Sequence, residues 1–497
     1  MLKKHIFFAI NNLIKRGMIM QKKTTISEEG IYDARTLGIP KMLVLGLQHM
    51  FAMFGATVLV PLLTGLDVAT TLLFAGLGTL LFHLITKRKI PAFLGSSFAF
   101  LGGYATVKTL SDSVSGNAAL PYACLGVACA GLLYFIVAAL IKMAGANKVM
   151  KYFPPVVTGP IIIAIGLNLA GSAVNNCQVN WLIAVIALAI IVVFNIWGKG
   201  MLKIIPILLG VLGSCAVAAV LAIAFGESIT AADGAGYIAL AGNEKLILFS
   251  ESALENFRNA AWIGLPVHWD KTVFGGIDWS NTSLIFSSII AVTPIALATM
   301  MEHIGDISAI SSTVNRNFIA NPGLHRTLLG DGLATIIAAL FGAPANTTYG
   351  ENTGVLALSR VYDPRVIRLA AVFAAVLSFC PKFSALINLI PTAVIGGISF
   401  VLYGMISAIG IRNLVENHVD FTKGRNLIIA AVILVCALGL GNTVSFSIGQ
   451  VNIALTALAV ASIMGIVLNA ILPGKDYTFS ADADEKGDAD SKKEGAE

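Results

Sequence analysis

Residues 344–360 read PANTTYGENTGVLALSR, and this stretch decides how the rest of the chain is read. It opens on Pro344 and small polar residues, passes Tyr349 and Gly350, and turns into a helix-like run at Glu351 and Asn352. Apolar segments flank it on both sides, so its position puts it at membrane depth. Irregular backbone is tolerated there only when it is buried in protein or lines a cavity. The N–H groups at the start of a half-helix then become donors aimed into that cavity. The stretch predicts a short extended piece near 345–350, a half-helix after it, and a binding site where they meet.

The surroundings agree with membrane depth. Of 497 residues 57% are hydrophobic and 12% charged, too apolar a mixture for a soluble domain. An all-α polytopic membrane protein is expected, its partner being the lipid bilayer. The net charge of +6 then bears on loop placement and gives no pointer to nucleic acid. Cys124, Cys129, Cys177, Cys215, Cys380 and Cys436 lie in or beside apolar runs without metal-ligand or CxxC spacing, and read as buried reduced thiols. No metal, no cofactor and no enzymatic nucleophile is called for.

Residues 1–36 form a basic, mixed N-terminal segment. Its apolar piece from Ile6 to Ile14 is broken by Asn11 and Asn12 and lacks a small-residue cleavage site, so it is not read as a signal peptide. Translation from Met18 or Met20 is an open alternative to Met1. About fourteen apolar spans follow, near 40–63, 68–86, 92–108, 118–141, 154–174, 179–198, 201–225, 282–304, 327–342, 345–360, 365–380, 386–411, 425–441 and 447–472. Several fall short of the ~20 residues of a full helical crossing. The spans near 92 and 345 reach far enough only if an extended piece carries part of the depth, at ~3.3 Å per residue.

Loop charges set the expected orientation. Lys87–Arg88–Lys89, Lys142/Lys148/Lys151, Lys199/Lys203, Arg316/Arg326, Arg360/Arg365/Arg368 and Arg412/Lys423/Arg425 fall on alternate connections. That side, which includes both termini, is assigned to the cytoplasm. The loop 226–281 falls outside; it holds Glu227, Asp233, Glu244, Glu251, Glu255, Asp270 and Asp278 against three bases. The tail 474–497, rich in Asp, Glu, Lys, Gly and Ser, reads as disordered.

An internal repeat runs through this layout. PAFLGSSF at 91–98 matches PANTTYGE at 344–351 in design, and PPVVTG at 154–159 matches PTAVIG at 391–396. By the span count the first pair starts from opposite sides of the membrane. Two sevens of opposite topology with broken segments at equivalent places mark a secondary transporter built as a 7+7 inverted repeat.

Ionisable residues at membrane depth are functional candidates. Glu302 and Asp306 are four apart, so a helix puts both on one face. In a low-dielectric site two such carboxyls disfavour joint ionisation and one holds a proton, as a proton-coupled carrier requires. Asp306 has a plainer reading as the mark of a helix end beside Arg316. Glu351 and Asn352 open the half-helix, where a carboxylate is also an ordinary capping choice. Asp331 is an interior acid or a helix cap, His49 a core histidine, and Phe98 either core filler or a face for a flat ligand. Carboxylate acceptors, backbone donors and an aromatic wall together fit a planar neutral lactam or imide, uracil or xanthine among them. They disfavour an anion.

The segments LQHMFAMFGATVLVP (47–61), IPAFLGSSFAF (90–100), MEHIGD (301–306), NPGLHR (321–326) and NTTYGENTGVLALSR (346–360) resemble the nucleobase–ascorbate transporter family, nearest its bacterial uracil-permease branch. The resemblance runs from about Gly38 to Leu472. The family signature falls on Glu351, Asn352, Gly354, Ser359 and Arg360, with Ser359 in place of the usual Thr. The resemblance implies a core domain at 37–145 and 282–382 (spans 1–4 and 8–11) and a gate domain at 146–225 and 383–473 (spans 5–7 and 12–14). It implies substrate contacts from Glu302, Glu351, Phe98, Gly350, Asn352 and Tyr349. Proton coupling falls to Glu302, Asp306 and Asp331, and Tyr403 is a gate residue facing the site. Asp306 and Asp331 match the purine branch, which keeps xanthine or urate as the alternative substrate; Glu at 351 favours uracil. The expectation is a proton-coupled uracil importer of the cytoplasmic membrane, with Na+ as the other coupling ion, working as a homodimer through its gate domains. An inorganic-anion exchanger of similar architecture and a membrane-embedded enzyme are the rivals.

Overall fold

The computed structural model describes residues 30–111, 114–230, 234–441, 443–448 and 451–474. The alternative starts, most of the N-terminal segment and the tail after Gly474 lie outside the described residues. Helices dominate. Among the described residues seven are long and apolar enough to cross a membrane, and eight if a bent pair counts as one span.

The first helices are α1 (Ile39–Thr64) and α2 (Val68–Ile85). Gly65, at φ 81°, closes α1 in a left-handed turn, and the Asp67 side chain caps α2 by accepting from Thr70 N–H. Strand β1 (Leu94–Ser96) and a short helical piece ending in α3 (Leu101–Val107) follow. Then come α4 (Leu120–Ala144), α5 (Pro155–Gln178), α6 (Trp181–Trp197) and α7 (Pro206–Phe225). The loop 226–281 is partly ordered as an antiparallel sheet, β2 (Gly226–Thr230), β3 (Gly236–Leu240) and β4 (Asn243–Ser250), before helix α8 (Glu251–Asn259).

The second half starts with α9 (Thr282–Val292), which passes through a turn of 3₁₀ helix at Pro294 into α10 (Ala296–Val314). After α11 (Leu324–Leu340) come β5 (Asn346–Thr348) and α12 (Gly350–Ser359). Helices α13 (Pro364–Leu377) and α14 (Pro381–Asn388) form the bent pair, turned by 90°. Then α15 (Thr392–Glu416), α16 (Gly424–Gly439), the hairpin β6 (Thr443–Ile448) and β7 (Val451–Thr456), and α17 (Ala457–Ile471) complete the chain.

The span expected at 386–411 is divided between α14 and α15, and the helix of the span expected at 201–225 runs from Pro206; two further differences have plain physical reasons. The span expected to stop at residue 304 continues as helix to Val314, because Asp306 is buried by its neighbours and does not mark an exit to water. The stretch expected to be helical from 447 begins as a hairpin: its β-branched run suits a strand as well as a helix.

The two extended pieces pair with each other. β1 and β5 run antiparallel with Leu94 opposite Thr348 and Ser96 opposite Asn346, and all six residues are buried. A buried two-stranded ladder leaves outward backbone groups that need partners. Side chains of the adjacent helices supply them: the Thr79 hydroxyl accepts from Leu94 N–H at 2.9 Å, and Thr335 donates to the Asn346 carbonyl at 2.7 Å. Asn346 in turn donates to the Phe74 carbonyl at 3.0 Å.

The helices that open on the second pair of repeat motifs, α5 and α15, lie against each other. A Cβ at Gly410 would come within 2.7 Å of the Gly159 carbonyl oxygen, so this approach requires glycine. Away from such contacts the helices turn apolar side chains outward. Leu132, Ile136 and Leu140, four apart on α4, are all about half exposed, as a lipid-facing stripe would be.

At one end of the bundle the chain before α1 acts as a strap. Ile31 bridges Val361, Tyr32 donates to the Val314 carbonyl at 2.8 Å, and Arg316 lies 4.3 Å over the Tyr32 ring. Asp33 pairs with Arg35 and with Arg365, the latter at 2.8 Å. Hydrogen bonds from the Arg35 side chain and backbone hold the Asp33 carboxyl well below the usual carboxylate range.

Candidate functional site

The strand pair and α10 enclose a cavity. Glu302, Gly305 and Asp306 line it from α10, and Ser96, Phe98, Thr347, Thr348, Tyr349 and Gly350 from the two broken segments. Ile162 of α5 and Ile406 and Ile409 of α15 close the far side. Five of the nine residues expected at the site therefore meet at one place: Glu302, Asp306, Phe98, Tyr349 and Gly350.

Helical spacing explains the α10 pair, since residues four apart share a face. Gly350 opens α12 toward them: a Cβ built there would stand 3.4 Å from both Asp306 Oδ1 and Ile409 Cδ1. Tyr349, at the N-cap position of α12, makes no side-chain cap. Its phenol is committed elsewhere: it donates to the Ser96 carbonyl at 3.0 Å and accepts from Thr57 at 3.2 Å. Tyr349 lines the cavity, and its hydroxyl ties the start of α12 to β1 and α1. Gly95 makes room for this, because a Cβ there would sit 2.3 Å from the Tyr349 ring.

The other expected residues stand apart from the lining. Tyr403, buried on α15, packs edge-on against Phe98 with centroids 5.7 Å apart and planes at 77°. Asn352 is buried in α12, and its amide has no hydrogen-bond partner among the described residues. Glu351 is the second residue of α12; its side chain lies outside the described residues. Asp331 is buried within α11, which removes the helix-cap reading, and its Oδ2 lies 3.1 Å from His303 Nδ1. His49 is buried in α1, away from the cavity, with neither ring nitrogen hydrogen-bonded among the described residues.

His303 was not among the expected residues. It is fully buried, and besides Asp331 its Nδ1 meets the Thr348 hydroxyl at 3.3 Å, which itself donates to Asp306 Oδ2 at 3.1 Å. Its sequence position, between two cavity acids in MEHIGD, was the available signal. Among the described residues no group of three or more His, Cys, Asp or Glu could hold a metal ion.

A bundle of apolar helices around a buried polar cavity walled by two broken segments defines a multi-pass membrane protein of transporter architecture. Comparison with known proteins narrows this. The profile of the Permease family (Xan_ur_permease) matches residues 40–448, and the chain belongs to that family. It is 41% identical over 454 residues to a uracil permease of Bacillus caldolyticus, covering 90% of this chain and 94% of that one. It is 40% identical over 440 residues to a uracil permease of Bacillus subtilis (strain 168), covering 86% and 91%. A putative pyrimidine permease, RutG, of Escherichia coli (strain K12) is 35% identical over 463 residues, covering 92% and 95%. Among solved structures, the transmembrane domain of the cyanobacterial bicarbonate transporter BicA shares the fold at a TM-score of 0.59 and 15% identity, over 88% of this chain and 99% of that one. SLC26A9 does so at 0.58 and 10%, over 88% and 66%.

Proposed function

We propose that the chain imports uracil across the cell membrane together with protons, by alternating access. The observation that carries this is the meeting of Glu302 and Asp306 with Phe98 and the uncapped start of α12 in one cavity. Carboxyl acceptors, backbone N–H donors and an aromatic wall match the edge and face of a neutral pyrimidine. The uracil permeases at 40–41% identity over most of the chain support the same cargo. Glu302 and Glu351 bind the base, Gly350 and Phe98 complete the contacts, Asn352 and Tyr349 support the half-helix, and Tyr403 is the gate residue behind Phe98. Glu302, Asp306 and Asp331 form the proton-coupling set, with H+ rather than Na+ as the ion.

In this reading the shorter helices complete fourteen spans in a 7+7 inverted repeat. Residues 37–145 and 282–382 form the core domain, and 146–225 and 383–473 the gate domain through which two copies pair. Both termini are cytoplasmic and 226–281 lies outside. The core rocks against the gate around the cavity.

Uptake of [14C]uracil by a strain lacking its own permease tests the reading. Saturable uptake abolished by a protonophore is expected. Absence of uptake, or indifference to the protonophore, would overturn it. Competition by unlabelled xanthine that matches competition by uracil would move the assignment to the purine carriers.

A further inference from the structure

We propose that the proton travelling with the substrate is held behind the cavity by His303 and Asp331, and reaches them from Asp306 through the Thr348 hydroxyl. The inference rests on the transport reading above and deepens it.

The groups form a row of close contacts, with hydrogen-bond contacts at Thr348 and an ion-pair distance to Asp331. Thr348 Oγ1 donates to Asp306 Oδ2 at 3.1 Å and lies 3.3 Å from His303 Nδ1, which lies 3.1 Å from Asp331 Oδ2. Asp306 lines the cavity, whereas His303 and Asp331 do not. Both of the latter have side chains with 0% exposure. A buried histidine–carboxyl contact of this sort is seldom kept for stability, because well-packed apolar residues of similar volume serve as well or better. A buried pair that can gain and lose a proton has a use that an apolar pair lacks.

Among the described residues, the groups around the imidazole favour Thr348 as the link. On α10 the ring is flanked by Glu302 and Asp306, which face the cavity. From α11 it meets Asp331. From α4 the Tyr134 hydroxyl approaches the same region but donates to Thr299 at 2.6 Å. From α2 the Phe82 ring packs edge-on against the imidazole at 6.2 Å, and the neighbouring His83 turns its Nε2 to the Ala92 carbonyl. Thr348, on β5, is the side chain that touches both the cavity acid and the buried histidine.

The step balances without any further reagent. Protonated Asp306 gives its proton to Thr348 Oγ1 as the hydroxyl proton of Thr348 passes to His303 Nδ1. An Asp306 O–H bond and the old Thr348 O–H bond break, and a new Thr348 O–H and an N–H bond form. The result is a carboxylate at Asp306 and an imidazolium at His303 facing the Asp331 carboxylate. Release toward the other side runs the same hops backwards.

The test separates movement of substrate from its coupling to protons, with the full chain in liposomes. Exchange of labelled for unlabelled uracil without a gradient reports the first, and accumulation driven by an imposed pH gradient reports the second. His303→Gln keeps a polar side chain but cannot hold the proton. It should retain exchange and lose gradient-driven accumulation by about tenfold or more, within the usual range of coupling between sites. Thr348→Ser should keep the accumulation-to-exchange ratio of the unmodified chain, and Thr348→Val should lose it. Accumulation by His303→Gln equal to that of the unmodified chain would overturn the proposal. So would equal ratios for Thr348→Ser and Thr348→Val, or parallel loss of exchange and accumulation in His303→Gln, which would make the pair structural. Absence of any nucleobase exchange by the unmodified chain would instead bring down the transport reading, and the relay with it.

Discussion

Removing one oxygen atom at the crossing of the broken segments gives the sharpest test of the site's construction. In Tyr349→Phe the ring stays and only the hydroxyl is lost. That hydroxyl donates to the Ser96 carbonyl at 3.0 Å and accepts from Thr57 at 3.2 Å, and Ser96 and Thr57 are both fully buried. A net hydrogen bond contributes roughly 0.5–1.5 kcal/mol, and a buried group left without its partner costs about 1–3 kcal/mol. The Ser96 carbonyl is the group left behind, so Tyr349→Phe should destabilise by about 2 kcal/mol. Thr57→Val, nearly isosteric, should cost about 1 kcal/mol. Because the two hydroxyls meet, the double variant should cost less than the sum, by about 0.6 and at most about 1.7 kcal/mol, as found for polar contacts between membrane helices. Unfolding free energies of the four proteins in mixed detergent micelles measure this directly. Additivity within about 0.3 kcal/mol would mean the hydroxyls do not interact, and the description of the crossing would be wrong.

Other predictions address cavity and strap. Glu302→Gln keeps the volume and removes the carboxyl; uracil uptake should fall by about 10- to 150-fold, the cost of about 1.5–3 kcal/mol for a charge-assisted hydrogen bond to the ligand, while the protein still reaches the membrane. Unchanged uptake would remove Glu302 from the substrate site. Gly350→Ala places a methyl 3.4 Å from Asp306 Oδ1 and Ile409 Cδ1, so it should raise the KM for uracil while leaving expression intact. Asp33→Asn should loosen the strap, seen as faster amide exchange at Ile31 and Tyr362, whose N–H groups bond to the Arg360 and Ile31 carbonyls. The Asp33 pKa is depressed in the folded chain, so its contribution is in place above the ordinary carboxylate value of about 4 and is lost as pH falls through the lowered value. The unmodified strap should therefore stay protected at pH 5; equal exchange in both proteins at pH 7 would count against the contact.

Where side chains and backbone act locally, the architecture was legible in the sequence. Pro344 followed by small polar residues and then a helical run specified an extended piece before a half-helix, and both formed. Spacing of four placed Glu302 and Asp306 on one face without knowledge of any neighbour. Contacts between distant segments were another matter. Nothing in the sequence pairs His303 with Asp331, twenty-eight positions on, because their meeting depends on how α10 and α11 pack. The hairpin at 443–456 was missed because an apolar, β-branched run does not choose between strand and helix by periodicity alone. Asp306 was open to a reading as a helix end because a charge beside apolar residues usually signals water. Here the carboxyl is buried against Thr348.

The fold alone does not decide what the cavity carries. The transmembrane domain of a bicarbonate transporter shares this fold at 15% identity, and a fold shared at that level carries no cargo with it. The discriminating features are side chains at the crossing. The start of α12 presents the positive end of a helix dipole, equivalent to about half an elementary charge, which by itself would welcome an anion. In this chain Glu302 and Asp306 face that same space. Any carboxylate charge there opposes the dipole and makes the cavity a poor place for a second anion, yet a good one for a neutral ring with N–H donors. Replacing both acids by their amides should therefore weaken uracil binding and lower the barrier to small anions. Flux of bicarbonate or chloride into liposomes holding the doubly substituted chain measures this. If replacing both acids leaves the anion flux at zero and uracil binding undiminished, the acids do not set the cargo, and the electrostatic argument for a neutral substrate fails.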